Sequence, residues 1–160
     1  QFVKKLSSVT EPERRRRMAL NKTIVNRFMA LFNESHPDFD ALMDECYSSR
    51  VLFRDPLVER RGQDALVRYL EDAYANVTRC DFDYGEPVSS AHQVAIPWTM
   101  TLEHKRLARG APILVDGITL LQGNEDGIEY HRDYYDAGQL IYENLPLLGR
   151  VIRWIRRQAA

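Results

Sequence analysis

Residues 112–136 constrain the fold more than any other stretch of the chain: Pro-Ile-Leu-Val-Asp-Gly-Ile-Thr-Leu-Leu-Gln-Gly-Asn-Glu-Asp-Gly-Ile-Glu-Tyr-His-Arg-Asp-Tyr-Tyr-Asp. Aliphatic and β-branched residues lead into a Gly-Asn-Glu-Asp-Gly segment, and aromatics follow it. That pattern predicts two antiparallel strands joined by a turn at 123–127. Side chains alternate between faces along a strand. One face of the first strand is expected to carry Leu114, Asp116, Ile118 and Leu120, and one face of the second His131, Asp133 and Tyr135. A carboxylate within an apolar row, set against a row of His, Asp and Tyr, is the feature that most suggests chemistry.

The remaining chain reads as helices followed by strands. Residues 1–9 read as a loose arm. Thr10-Glu11-Pro12-Glu13 fits a capping box with an early proline, predicting a helix that runs to about Asn33 with Ile24, Phe28 and Leu31 on its apolar face. Arg14 to Arg17 form a basic run at its start, read as a solvated face or as a surface for an acidic partner. A second helix is expected near 38–48, a short strand at 51–53, and a third helix near 63–76 after Gly62. Asp55 precedes Pro56, which blocks regular continuation and places Asp55 at a strand end. Strands resume near 78–86, and a long one at 92–104 alternates Ile96, Trp98, Met100 and Leu102 on one face with Thr99, Thr101 and Glu103 on the other. Pro97 inside it suggests an edge position or a bulge. Residues 145–157 read as a basic amphipathic helix, with Leu148, Ile152 and Ile155 beside four arginines. Such a helix packs over its own domain or a second subunit, or lies on an anionic membrane surface. The order is that of one α+β domain at 10–140, with helices on one face of a curved sheet.

Composition narrows the function classes. Of 160 residues, 44% are hydrophobic and 28% charged, the balance of an ordinary folded domain with a core of its own. A net charge of −1 supplies no field for recruiting nucleic acid. Cys46 and Cys80 lack metal-ligand or framework spacing and read as free thiols. His36, His92 and His104 read as loop or surface residues, so no metal and no cofactor are expected. No run is apolar and long enough to span a bilayer, and a cytoplasmic location is the expectation.

Four stretches together resemble the ketosteroid-isomerase-like, SnoaL-like branch of the nuclear transport factor 2 superfamily, over about residues 18–136. They are the first helix leading to Leu52-Phe53-Arg54-Asp55-Pro56-Leu57 and Gly62; Ala95-Ile96-Pro97-Trp98; Val115-Asp116-Gly117; and Asp126-Gly127-Ile128 with Asp133-Tyr134-Tyr135-Asp136. The resemblance implies a cone-shaped sheet, mixed or antiparallel, wrapped around the N-terminal helices as in cystatin-like α+β barrels, with a largely apolar pocket in its mouth. It also implies a homodimer through the open sheet face. Asp55 falls where the isomerases keep the carboxylate that moves the substrate proton, and Asp116 where they keep a protonated acid. Asp116 and Asp133 resemble the two acids of limonene-epoxide hydrolases, and Asp133 the acid/base of SnoaL-type cyclases. Phe28 stands where the isomerases have tyrosine, and Leu114 where the epoxide hydrolases have arginine. His131 adds an imidazole, somewhat as scytalone dehydratase uses histidines.

These readings converge on Asp116, Asp133, His131 and Asp55 as candidate catalytic groups, and on Trp98, Tyr135, Phe28, Leu114, Ile118 and Met100 as pocket wall. An apolar pocket raises a carboxyl pKa and makes it a usable acid or base near neutral pH. The expected function is cofactor-free proton transfer on a small apolar molecule: isomerisation, cyclisation, dehydration or epoxide opening. A hydrophobic-ligand carrier and a dimeric scaffold are the alternatives. For each residue a structural role competes: a hydrogen-bonded aspartate, an ion pair, a turn residue before proline, or a satisfied core histidine.

Overall fold

The structure is a computed structural model that describes residues 20–90, 93–141, 144, 154–155 and 157–158. The arm at 1–9, the capping box at 10–13, the basic run at 14–17, His92 and most of the tail helix at 145–157 lie outside these residues.

Helix α1 spans Lys22–Phe32, started by Asn21, whose side chain accepts from the Thr23 amide. Val25, Phe28, Leu31 and Phe32 are its buried stripe, spaced at three to four residues as one helix face requires. Helix α2, Phe39–Cys46, begins at Asp38, whose carboxylate accepts from Ala41 N. Strand β1, Tyr47–Arg54, follows with no loop between. Tyr47 and Ser48, expected at the end of a helix, are therefore strand residues. A short β2, Glu59–Arg61, folds back on β1, and helix α3, Gln63–Tyr74, buries Leu66 and Leu70. Strands β3 (Val77–Tyr84), β4 (Val88–Ser89), β5 (Val94–His104), β6 (Ile113–Asn124) and β7 (Gly127–Tyr135) complete the sheet, and a one-turn α4, Ala137–Leu140, closes the described domain.

The strands lie in the order β2-β1-β7-β6-β5-β3, with β4 beside β5. All neighbours are antiparallel except β1 and β7, which run parallel, so the sheet is mixed and its two edges remain unpaired. The expected α+β class and curved sheet over N-terminal helices hold; the sheet is open rather than a closed barrel. Pro97 is not on an edge. Strand β5 lies between β6 and β3, and Pro97 falls where pairing with β3 ends at Tyr84 and pairing with β4 begins. Its carbonyl accepts from Gly85 N, and the missing N–H falls at the junction between the two partner strands.

One core cluster joins α1, α2 and α3 to β1 and the far ends of β5, β6 and β7. A second, of Trp98, Met100, Leu102, Ile113 and Val115, lies towards the open end of the sheet. The helices do not fill the space between the two. No described helix is long and apolar enough to cross a membrane.

Candidate active site

A cavity of about 480 Å³ opens between the helices and the inner sheet face. Phe28, Phe32, Tyr69 and Leu70 line it from the helices, and Phe53, Phe82, Tyr84, Trp98, Met100, Thr119, His131, Asp133 and Tyr135 line it from the strands. Leu140 and Ile141 reach its rim because Asp136 caps α4, accepting from Gly138 N and Gln139 N.

Its polar end is built on β7. His131, Asp133 and Tyr135 share the inward face, as their two-residue spacing requires. Opposite them on β6 stand Leu121, Thr119 and Gly117. His131 is 2% exposed and held from both sides. The Tyr47 hydroxyl lies 2.6 Å from Nδ1, and Nε2 lies 2.9 Å from Asp133 Oδ1. Burial, reinforced by the charge of Asp133, pushes the Tyr47 phenol well above its ordinary value, so it stays a donor. It then fills Nδ1, and Nε2–H points at Asp133. Trp98 Nε1 donates to Thr119 Oγ1 at 2.9 Å, and Thr119 Oγ1 donates to Asp133 Oδ1 at 2.5 Å. Two donor relays thus end on one carboxylate oxygen. Among the described residues nothing hydrogen-bonds Oδ2; the side chain is 20% exposed and lines the cavity.

Asp55 ends β1 and is buried. Its Oδ1 accepts from Leu57 N and Val58 N, both at 2.7 Å, so it shapes the turn after Pro56. Its Oδ2 accepts from the Tyr69 hydroxyl and, at 3.3 Å, from the Tyr135 hydroxyl. Burial and the nearness of Asp55 push both phenols above their usual range. With four donors upon it, Asp55 is a carboxylate fully engaged in holding two cavity tyrosines.

Of the residues expected at the site, Asp133, His131, Asp55, Trp98, Tyr135, Phe28 and Met100 line the cavity. Asp116, Leu114 and Ile118 do not. They lie on the outer face of β6, where Leu114 is 66% and Ile118 47% exposed, and Asp116 accepts a hydrogen bond from Thr99 Oγ1 at 2.8 Å. The inward row is Ile113, Val115, Gly117, Thr119 and Leu121. Both rows of β6 are apolar enough to be buried, so alternation alone does not choose between them. The expected pairing of Asp116 with Asp133 is therefore replaced by the pairing of Thr119 with Asp133. Tyr47, Tyr69 and Thr119 were not expected at the site. The one local signal is Tyr69, three residues after Leu66 on the buried side of α3. Among the described residues no group of three His, Cys, Asp or Glu side chains could hold a metal ion.

No curated protein sequence matches the chain significantly. Solved structures do resemble it. A protein with a ketosteroid isomerase-like fold from Catenulispora acidiphila, in complex with trimethylamine, superposes with a TM-score of 0.68 at 17% identity, covering 79% of this chain and 96% of that one. An NTF2-like protein of unknown function from Exiguobacterium gives 0.61 at 22% identity, over 71% and 98% of the two chains. A candidate SnoaL-like polyketide cyclase from Shewanella putrefaciens gives 0.63 at 15% identity, over 74% and 91%. At these identities the likeness is one of fold. Residues 25–131 match the model of the SnoaL-like domain, and the chain belongs to that family.

Proposed function

We propose that the cavity takes a small, mostly apolar organic molecule and that Asp133 moves a proton on it without a cofactor. The observation that carries this reading is the division of labour on one cavity-lining carboxylate: Oδ1 collects the His131 and Thr119 donors while Oδ2 accepts from none of the described residues. A proton taken from substrate can settle on Oδ2 without rearranging either relay, and the same oxygen can return it at another atom. That sequence describes an isomerisation. If the carbanion instead attacks a carbonyl of the same molecule and the alkoxide takes the proton back from Oδ2, it is a cyclisation. If it expels a β-oxygen that takes the same proton, it is a dehydration with loss of water or the opening of an epoxide to an alcohol. Asp133 is the acid/base. His131 is a positioning residue, fixed by Tyr47. Asp55 is assigned here to orienting Tyr69 and Tyr135 rather than to a second base, because its four acceptor positions are occupied. Asp116, on the outer face, has no part in this chemistry.

The test is hydrogen exchange in deuterated water on small carbon acids that fit the cavity, with cyclohexanone and cyclohexenone as probes, followed by NMR. Wild type is expected to accelerate exchange, and Asp133→Asn to lose about 10²–10⁴-fold of that acceleration with its melting temperature retained. Equal rates in the two proteins, or no acceleration by wild type, would overturn the assignment. A second reading, a ligand carrier without turnover, is favoured by the loss of Asp116 from the cavity, which leaves no second acid there with an unengaged oxygen beyond the rim residue Asp72. A carrier keeps probe binding in Asp133→Asn and shows no exchange. We also propose a homodimer through the outer sheet face, where Leu114 on β6 is exposed and Ile118 pairs across strands with Tyr134, itself 53% exposed.

A further inference from the structure

The charge content of the cavity wall is one-sided. The chain as a whole has 22 Lys and Arg against 23 Asp and Glu, yet the described residues lining the cavity include three carboxylates, Asp55, Asp72 and Asp133, and no lysine or arginine. Asp55 is accounted for. Four donors hold it, the Arg132 guanidinium reaches its backbone carbonyl at 3.2 Å, and Arg60 sits 5.3 Å over the ring of Tyr69. Asp133 is different. No lysine or arginine pairs with it among the described residues; the His131 imidazole and Thr119 hydroxyl donate to Oδ1, and the residue lines the cavity. The rest of the wall mixes aliphatic side chains with a set of aromatic ones that includes Phe28, Phe53, Phe82, Tyr84 and Trp98. Aromatic faces are electronegative and attract cations held within about 6 Å. An anion placed beside Asp133 would meet like charge, with no lysine or arginine among the described lining residues to offset it.

We infer that the ligand of this cavity is an apolar cation, a tertiary or quaternary amine whose nitrogen sits over the aromatic wall within Coulomb reach of Asp133, and that molecules ending in carboxylate or phosphate are excluded. The inference deepens the acid–base reading and rests on it for the role of Asp133.

The experiment is a calorimetric titration of the full chain with choline and with dimethylbutanol, the uncharged isostere in which carbon replaces nitrogen. Choline is expected to bind about ten-fold more tightly. Asp133→Asn is expected to remove most of that preference. Phe82→Leu is expected to reduce it while leaving dimethylbutanol binding nearly unchanged, and it serves if Asp133→Asn does not fold. Binding of dimethylbutanol as tight as or tighter than that of choline, or binding of neither, overturns the inference. A preference untouched by both variants overturns it as well. Because the readout is binding, choline selectivity without ketone exchange would remove the catalytic reading and leave the cation site. Ketone exchange without choline selectivity would do the reverse.

Discussion

At the scale of single residues the site depends on an absence. Gly117 faces inward opposite Trp98, and a Cβ there would lie 2.2–2.7 Å from three atoms of the indole ring. Only hydrogen leaves room for the indole to reach Thr119 and through it Asp133. Gly117→Ala is expected to displace Trp98, break its hydrogen bond to Thr119 and cost about 1–3 kcal/mol, visible as a lower melting temperature and a red-shifted tryptophan emission. The two thiols give a pH signature. Burial is the main cause that pushes both Cys46 and Cys80 from 9.0 to about 11. At pH 8 their thiolate fraction is then about 100-fold below that of an ordinary thiol, and alkylation of the native chain should slow accordingly. The sign of the linkage follows. A thiol whose folded pKa exceeds its unfolded one binds more protons when folded, so its stabilisation is complete below about pH 9 and is lost as pH rises towards 11. Thermal melts from pH 8 to 11 check this, and a melting temperature rising over that range contradicts it.

Among the elements, side chains do several jobs that backbone does elsewhere. The Asn33 amide at the end of α1 donates to Phe82 O at 2.9 Å and accepts from Phe82 N at 2.8 Å, pairing with edge strand β3 as a neighbouring strand would. This double bond of helix to edge holds α1 over the cavity. Asn33→Ala should cost about 1–3 kcal/mol and speed amide exchange at Phe82, and Asn33→Asp, which keeps the acceptor but not the donor, should fall between. Gln63 Nε2 similarly ties α3 to the α2–β1 junction through Met43 O and Tyr47 O. At the β6–β7 turn, Gly127 has φ +148°, and a Cβ there would meet Ser48 N at 2.9 Å and Tyr47 C at 3.0 Å. The close approach lets β1 begin alongside β7 in parallel, with Tyr47 opposite Ile128. Tyr47 reaches His131 because of it.

For the whole molecule, the two sheet faces have different tasks. The inner face builds the cavity, and the outer face exposes Leu114, Ile118 and Tyr134. If two copies meet there, Ile118→Asp should shift the chain from dimer to monomer in sedimentation velocity while leaving ligand binding in place. An unchanged sedimentation coefficient would remove the dimer from this face. Asp116→Asn, on the same side, should leave the cavity chemistry intact.

Much of this was legible in residue order alone. The helical stripes of α1 and α3, the alternation of β5, the β6–β7 hairpin and the inward row of His131, Asp133 and Tyr135 all follow from periodicity, which is a local property of the chain. What periodicity could not supply was the side of the sheet to which β6 turns Asp116. Both of its rows are apolar, and the inward row is the one whose Gly117 packs under Trp98, its partner on the neighbouring strand and nineteen residues away in sequence. The relays through Tyr47, Thr119 and Tyr69 are of the same kind. Hydrogen bonds between residues 14 to 84 positions apart exist only once the strands are in register. Local pattern therefore determined the elements and their order; tertiary packing decided which carboxylate faces the cavity, because facing is settled by neighbours in space.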